Sequence, residues 1–272
     1  MKITLSGTRG SVGRAGPETM AYGGDTSCVL VTADDGSTLV LDAGSGIRRL
    51  NNDFSLSPDR IDILLTHLHM DHIQGLGFFK PIFDPNSEVN LWGPVSSTMN
   101  LADRLGRYLS PPLFPVRLRD LPRVGVRDVR PGSFDIGPFS ITTDLVMHPG
   151  PTLGFRIEAD GASIAYLPDH EPALGSDQFP KAPEWTSGYD LSRGVDLLVH
   201  DFQYTEAEYP SRQGWGHSSV AQAVAFATQV GAGRLVTFHH DPDHDDATLD
   251  EVHDIDTGFE LIPGRAGLTI EA

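Results

Sequence analysis

The stretch 66-THLHMDH-72 sets three of the chain's 11 histidines beside an aspartate, directly after the apolar run 61-IDILL-65. Neutral imidazoles and a carboxylate are donors that divalent transition ions accept. Alternating positions of one short loop diverge, so such ligands can serve two neighbouring metal sites. A solvated polar loop with capping histidines accounts for one such residue; three with an aspartate read as a metal motif. Further along stand 147-MHP-149, 166-YLPDHE-171, 214-GWGHSS-219 and 238-FHHDP-242. They offer His148, Asp169, His217, His239 and His240. Taken singly, His148 reads as a turn histidine, Asp169 as a turn carboxylate and His217 as a histidine at a helix start. Together, His148 and Asp169 complete a ligand set that the first loop leaves short. Successive strand residues point to opposite faces, so only one of His239 and His240 is expected to reach the ions. The acidic PDHDD tract after them reads as a helix start, with aspartates near the amino-terminal dipole.

Short strands must position these groups. KITLS (2–6), 27–32 and 37–44 are β-rich runs bounded by glycine, aspartate and serine. Residues 61–67 form an apolar run suited to a strand buried on both faces, whose polar end would lie where open α/β sheets bind ligands. Helical spacing predicts a helix over 96–109 with a serine start. Residues 126–171 read as successive strands punctuated by PG, GP, PGP and DG. A buried strand is expected over 195–201, a capped helix over 217–233 and a strand over 234–240, while 172–194 is the most loop-like tract. Strands fall into two groups, each followed by helices, which points to two similar α/β halves fused face to face.

At 272 residues the chain is long enough to bury a core without staples. A net charge of -17 disfavours a broad basic surface for nucleic acid or anionic membranes. An anionic small substrate stays compatible, because bound divalent ions invert the local field. Cys28 is the single cysteine, which fits a reducing compartment. The opening MKITLSGTRGS lacks an apolar signal region, and no run has the length of a spanning helix, so a cytoplasmic protein is expected. The glycine-rich 7-GTRGSVG-13 lacks the lysine and helix pattern of a P-loop. Asp25 and Thr26 of 22-YGGDTS-27 are candidates to support the site. Tyr22, Phe78, Phe79, Trp185, Tyr204 and Trp215 are candidates to stack on a substrate.

The motif 66-THLHMDH-72 resembles the H-x-H-x-D-H signature of the metallo-β-lactamase superfamily, and MHP, YLPDHE and FHHDP follow in that family's order. Within it, 214-GWGHSS-219 and 195-VDLLVHDFQY-204 are similar to the branch holding tRNase Z and the small cyclic-phosphate and cyclic-nucleotide phosphodiesterases. The resemblance covers nearly the whole chain and implies one domain, 1–272, with an α/β fold: a four-layered αβ/βα sandwich. It implies two divalent metal ions, zinc first, with manganese or iron accepted by the same donors. His67, His69 and His148 would hold one ion, Asp71, His72 and His239 the other, and Asp169 would bridge both. His240 would then be structural. Asp71, Asp169 and His217 form the implied catalytic set, with His217 facing the scissile phosphate as ligand or general acid.

The implied reaction is hydrolysis of a phosphodiester by water activated between the ions. A tRNase Z of this branch carries a long arm between its third histidine ligand and the bridging aspartate. Here His148 and Asp169 are only 21 positions apart (148 to 169), with no room for that arm. A small phosphodiester is therefore the expected partner, a 3′,5′-cyclic nucleotide first, with nucleic acid and membrane disfavoured and a homodimer implied by the relatives. A ribosyl cyclic-phosphate phosphodiesterase and an RNase Z-like nuclease are the alternatives. A thioester, lactone or lactam hydrolase and a non-catalytic ligand sensor on the same fold are the further ones.

Overall fold

A computed structural model describes residues 1–51, 59–174 and 179–272. The first half runs β1 (Lys2–Gly7), β2 (Cys28–Thr32), β3 (Thr38–Leu41), β4 (Arg60–Leu64), α1 (Met70–Ile73), β5 (Glu88–Pro94), α2 (Leu101–Tyr108) and β6 (Val124–Val129). The second half starts with β7 (Gly132–Ile136), β8 (Phe139–Leu145), β9 (Leu153–Ala159), β10 (Ala162–Leu167), α3 (Tyr189–Ser192) and β11 (Leu197–Asp201). It continues through α4 (Val220–Val230), β12 (Arg234–Phe238), α5 (Asp246–His253), β13 (Glu260–Ile262) and β14 (Thr269–Glu271).

These strands build two 7-stranded sheets, ordered β14-β1-β2-β3-β4-β5-β6 and β13-β12-β11-β10-β9-β8-β7. Alternation along each strand assigns the layers. Val29, Val31, Leu39 and Leu41 face inward to Phe155, Ile157, Ile164 and Val199 of the other sheet. Cys28, Leu30, Val40, Ile61 and Ile63 face outward, beneath Leu101 and Leu105 of α2. On the far side, Ala165, Leu167 and Leu198 are covered by Leu191 of α3 and Phe226, Ala227 and Val230 of α4. The result is the four-layered αβ/βα sandwich, and burial on both faces is why the strands read as near-continuous apolar runs.

Parallel pairing runs through β3, β4, β5 and β6 in one sheet and β10, β11, β12 and β13 in the other. The carboxyl ends of β3, β4, β10, β11 and β12 therefore open toward one rim, carrying Asp42, Thr66, Asp169, Asp201 and His239.

Several boundaries differ from the sequence expectation. The strand expected over 37–44 stops at Leu41 because Asp42 adopts φ 58, and the one expected over 234–240 stops at Phe238 because His239 does the same. A non-glycine residue holds that conformation only where its surroundings impose it. The helix expected over 96–109 begins at Leu101 instead, since Asn100, not a serine, accepts from the Asp103 N–H at 2.8 Å. The helix expected over 217–233 spans Val220–Val230, capped by Ser219 and ended by Gly231 at φ 63. The PDHDD tract does lead into a helix, with Asp245 accepting from the Thr248 N–H. Of the tract expected as loop over 172–194, residues 175–178 lie outside the described residues, and Tyr189–Ser192 is helical. Among the described residues no helix is long and apolar enough to cross a membrane.

Candidate metal centre

The turn after β4 gathers the first donors. His67 Nε2 lies 2.9 Å from His69 Nδ1, and His148 Nε2 lies 3.1 Å from that same atom. Asp169, beyond the end of β10, places Oδ2 3.6 Å from His67 Nε2 and 3.7 Å from His148 Nε2. Its Oδ1 lies 3.0 Å from His72 Nε2, and its Oδ2 3.3 Å from His239 Nε2. Asp71 Oδ2 closes a second group at 3.3 Å from His72 Nε2 and 3.1 Å from His239 Nε2. Two clusters therefore share Asp169: His67, His69 and His148 on one side, Asp71, His72 and His239 on the other.

The donor arrangement fits a pair of divalent ions. Three imidazole nitrogens converge on one point, where protons alone cannot satisfy all their lone pairs. His72 Nε2 and Asp169 Oδ1 are fully buried and lie 3.0 Å apart, out of line for a hydrogen bond, and neither finds another hydrogen-bond partner among the described residues. An unpaired buried polar atom is costly unless something else engages it. Neutral nitrogens and carboxylates in this mixture suit zinc, manganese or iron.

Five of the seven donors are oriented from behind, as metal-bound histidines generally are. His72 Nδ1–H donates to Asp42 Oδ2 at 2.8 Å. His67 Nδ1–H donates to Thr66 Oγ1 at 3.0 Å, and that hydroxyl passes its own proton on to Asp42. His148 Nδ1–H donates to the Gly216 carbonyl at 2.8 Å, and His239 Nδ1–H to Gln203 Oε1 at 2.9 Å. The Ser11 N–H donates to Asp71 Oδ2 at 2.7 Å, which brings the glycine-rich 7–13 loop to the edge of the centre.

Charge follows the same geometry. Burial alone would raise the Asp71 and Asp169 carboxyls, but the surrounding imidazoles hold both below the usual carboxylate range, so both are anionic donors. Burial pushes His148 down to about 4 and His67 well down, leaving neutral nitrogens for an ion. Burial also disfavours charge on His239, yet Asp169 and a hydrogen bond to Asp71 outweigh it and push the imidazole up to about 9.

His217 stands beside the two clusters. Its Nδ1 is 2.7 Å from Asp201 Oδ2 and 4.0 Å from Asp169 Oδ2, and its ring stacks on His239 at 4.8 Å. Asp201 is itself held by the N–H groups of His170, Gln203 and Ser218. Nδ1–H pinned to a carboxylate fixes the tautomer and leaves Nε2 to exchange a proton.

His67, His69, Asp71, His72, His148, Asp169, His217 and His239 thus meet in one place. His240 turns away, with Nε2 on the Gly264 carbonyl at 3.0 Å and its ring edge-on to Tyr22. Thr26 and Asp25 support the rim from outside: Thr26 Oγ1 accepts from Ser45 N and Gln74 Nε2, and Asp25 pairs with Arg49. Asp42 and Asp201 escaped the sequence reading. Each terminates an apolar strand run, in LVLDAG and LLVHD, as Asp169 does in YLPDHE. That shared pattern was the available signal.

Residues 37–240 match the family model described as a beta-lactamase superfamily domain. A ribonuclease Z of Mycolicibacterium gilvum (strain PYR-GCK) is 30% identical over 278 residues, covering 89% of this chain and 85% of that protein. Among solved structures, the metallo-beta-lactamase fold protein YhfI from Bacillus subtilis superposes with TM-score 0.73 at 20% identity, over 100% of this chain and 98% of that one. A diphosphatase from the PhnP family superposes with TM-score 0.71 at 19% identity, over 100% and 97%.

Proposed function

This chain belongs to the metallo-β-lactamase superfamily, in its ribonuclease Z-like branch, and on that premise we propose that it hydrolyses a small phosphodiester, a 3′,5′-cyclic nucleotide first, to the monoester. The observation that carries this reading is the Asp201–His217 pair beside the donors, 2.7 Å between carboxylate and imidazole. An ester with a poor alkoxide leaving group gains most from a separate proton donor.

Divalent ions held by His67, His69, His148, Asp169, Asp71, His72 and His239 would acidify a water and neutralise charge on the phosphoryl group. Asp201 keeps the His217 ring in one tautomer and one orientation. His217 Nε2 then gives a proton to the departing oxygen. Asp42 holds His72 directly and His67 through Thr66, so one carboxylate aligns donors on both sides. The Ser11 N–H fixes Asp71.

Small size is supported by the segment between His148 and Asp169. It consists of β9 and β10, paired antiparallel from Ala159 and Ala162 across an Asp160–Gly161 turn, and bears no appended arm. The acidic net charge of -17 points the same way. An RNase Z-like nuclease is the second reading, favoured by the ribonuclease Z relative matched over 85% of its length. Metal-loaded enzyme assayed on a cyclic-nucleotide panel and on a precursor tRNA, with Asp71→Ala as control, separates the two. Conversion to nucleoside monophosphates, lost in the control, is the expected result. Cleavage of the tRNA alone would replace the first reading by the second.

A further inference from the structure

Three loop segments that each carry an exposed apolar side chain are tied down beside the centre by one buried residue, Glu171. Glu171 has no exposed surface. Its N–H donates to the Met147 carbonyl at 3.0 Å, and its own carbonyl accepts from the Leu174 N–H at 3.4 Å. Its carboxylate accepts from the N–H groups of Gly214 and Gly216, both at 2.8 Å, and from the Tyr209 hydroxyl at 2.8 Å. Those two glycines flank Trp215. Met147, Leu174 and Trp215 nevertheless stay 45%, 40% and 59% exposed.

Their neighbours belong to the centre. Met147 precedes His148, and Gly216, between Trp215 and His217, accepts from His148 Nδ1. Behind Trp215 the Arg212 guanidinium lies 5.6 Å from the indole and 5.0 Å from the Tyr204 ring. Tyr204 in turn meets His217 edge-on at 5.9 Å. Packing gives no reason to expose an indole on a loop pinned by a buried carboxylate, and exposed apolar surface of this kind marks a place where something binds.

We infer that Trp215, with Met147 and Leu174, is a shelf on which the base of a nucleotide diester lies, and that Glu171 is the positioning residue that sets this shelf against His148 and His217. The inference rests on the phosphodiesterase reading and names the part of the substrate that gives specificity. A base presents a flat π-face to an indole, and such stacking tolerates any base. A base-free ribosyl cyclic phosphate has nothing to place there. Of the other aromatic candidates, Tyr22, Phe79 and Tyr204 are buried, while Phe78 is 60% exposed with one edge of contact on Phe114 and lies outside the loops that Glu171 pins. Trp185, 77% exposed on the turn Pro183–Trp185, borders the shelf on its Met147 side, where Ser187 accepts from the Met147 N–H at 2.8 Å, so Trp185→Phe is the control that separates the two indoles.

The test pairs kinetics with binding on metal-loaded protein. Trp215→Ala should raise KM for cyclic AMP roughly tenfold more than KM for a base-free ribosyl cyclic phosphate, with Trp215→Phe recovering much of the difference. Tryptophan emission should be quenched by AMP and not by ribose 5-phosphate; the quenching should vanish in Trp215→Phe and persist in Trp185→Phe. Equal KM changes for both esters, or quenching that survives Trp215→Phe, would overturn the shelf. So would a Trp215→Ala protein that sediments as a smaller assembly with unchanged kinetics, which would assign the patch to a second copy of the chain. If wild-type enzyme turns over neither ester, the phosphodiesterase reading fails, and the quenching experiment still decides the shelf.

Discussion

Tyr166 of one sheet donates its hydroxyl to Asp42 of the other, across 3.0 Å, directly beneath the metal donors. Asp42 also receives His72 Nδ1–H and the Thr66 N–H and hydroxyl, so four donors converge on one fully buried carboxylate. The sandwich is thus fastened at the point where both ligand clusters are aimed. Asp42→Ala should weaken metal binding about 10–100-fold, the usual loss when a partner behind a ligand is removed. Chelator competition on purified protein measures it. Tyr166→Phe removes a single donor and should cost about 1 kcal/mol of stability with the ions retained.

His217→Ala should lower kcat on an alkyl diester by about 10²–10⁴, the range for losing a general acid. The loss should shrink on a p-nitrophenyl diester, whose leaving group needs no proton. A similar fall on both esters would reduce His217 to a binding role. Asp201→Asn should follow His217→Ala in its leaving-group dependence, since its effect passes through that ring.

Gly216 stands at φ 92, and a Cβ there would lie 2.3 Å from His148 Nδ1. Gly216→Ala therefore forces His148 off its carbonyl. Elemental analysis should find the ion of the His67, His69 and His148 cluster lost first, while the cluster around His239 keeps its own. Equal loss from both would show that the clusters fill only together.

Acidity should act on the metal-free protein from both sides. His239, raised to about 9 from an ordinary 6.5, contributes stability that is full below about 6.5 and fades as pH rises through about 9. His148, lowered to about 4, contributes stability above about 6.5 that is lost as pH falls through about 4. Thermal unfolding of chelator-stripped protein should therefore peak near neutral pH. Metal must displace the His239 proton, so binding near pH 7 should release it, seen calorimetrically as a heat that depends on the buffer.

Removing the ions from wild-type protein should abolish turnover and lower the melting temperature. Ligand at about 100 times its Kd adds roughly 2.7 kcal/mol to folding stability, so restoring metal should recover the difference. An unchanged melting temperature would mean that the buried atoms of His72 and Asp169 carry no ion.

Much of the centre was legible before any fold was known, because metal ligation restricts residue type and the loop after β4 supplies four donors within contiguous sequence. His148, Asp169 and His239 were legible only through their order, since each is unremarkable alone. The grouping of strands suggested two α/β halves face to face, and the family resemblance supplied the four-layered architecture. Asp42, Asp201 and Glu171 were not legible, because a carboxylate at the end of a strand looks the same in sequence whether it faces solvent or four converging donors.

By itself, then, the sequence determined the chemistry on offer: imidazoles and carboxylates at the ends of buried strands, in a chain of net charge -17. Tertiary structure alone decided which of His239 and His240 joins the donor clusters. A backbone turn to φ 58 at His239 aims its ring at Asp71, while His240 continues toward Gly264. It also decided which of six aromatic candidates stands exposed beside His217. Both outcomes depend on long-range contacts between the halves of the chain, and no local propensity encodes those.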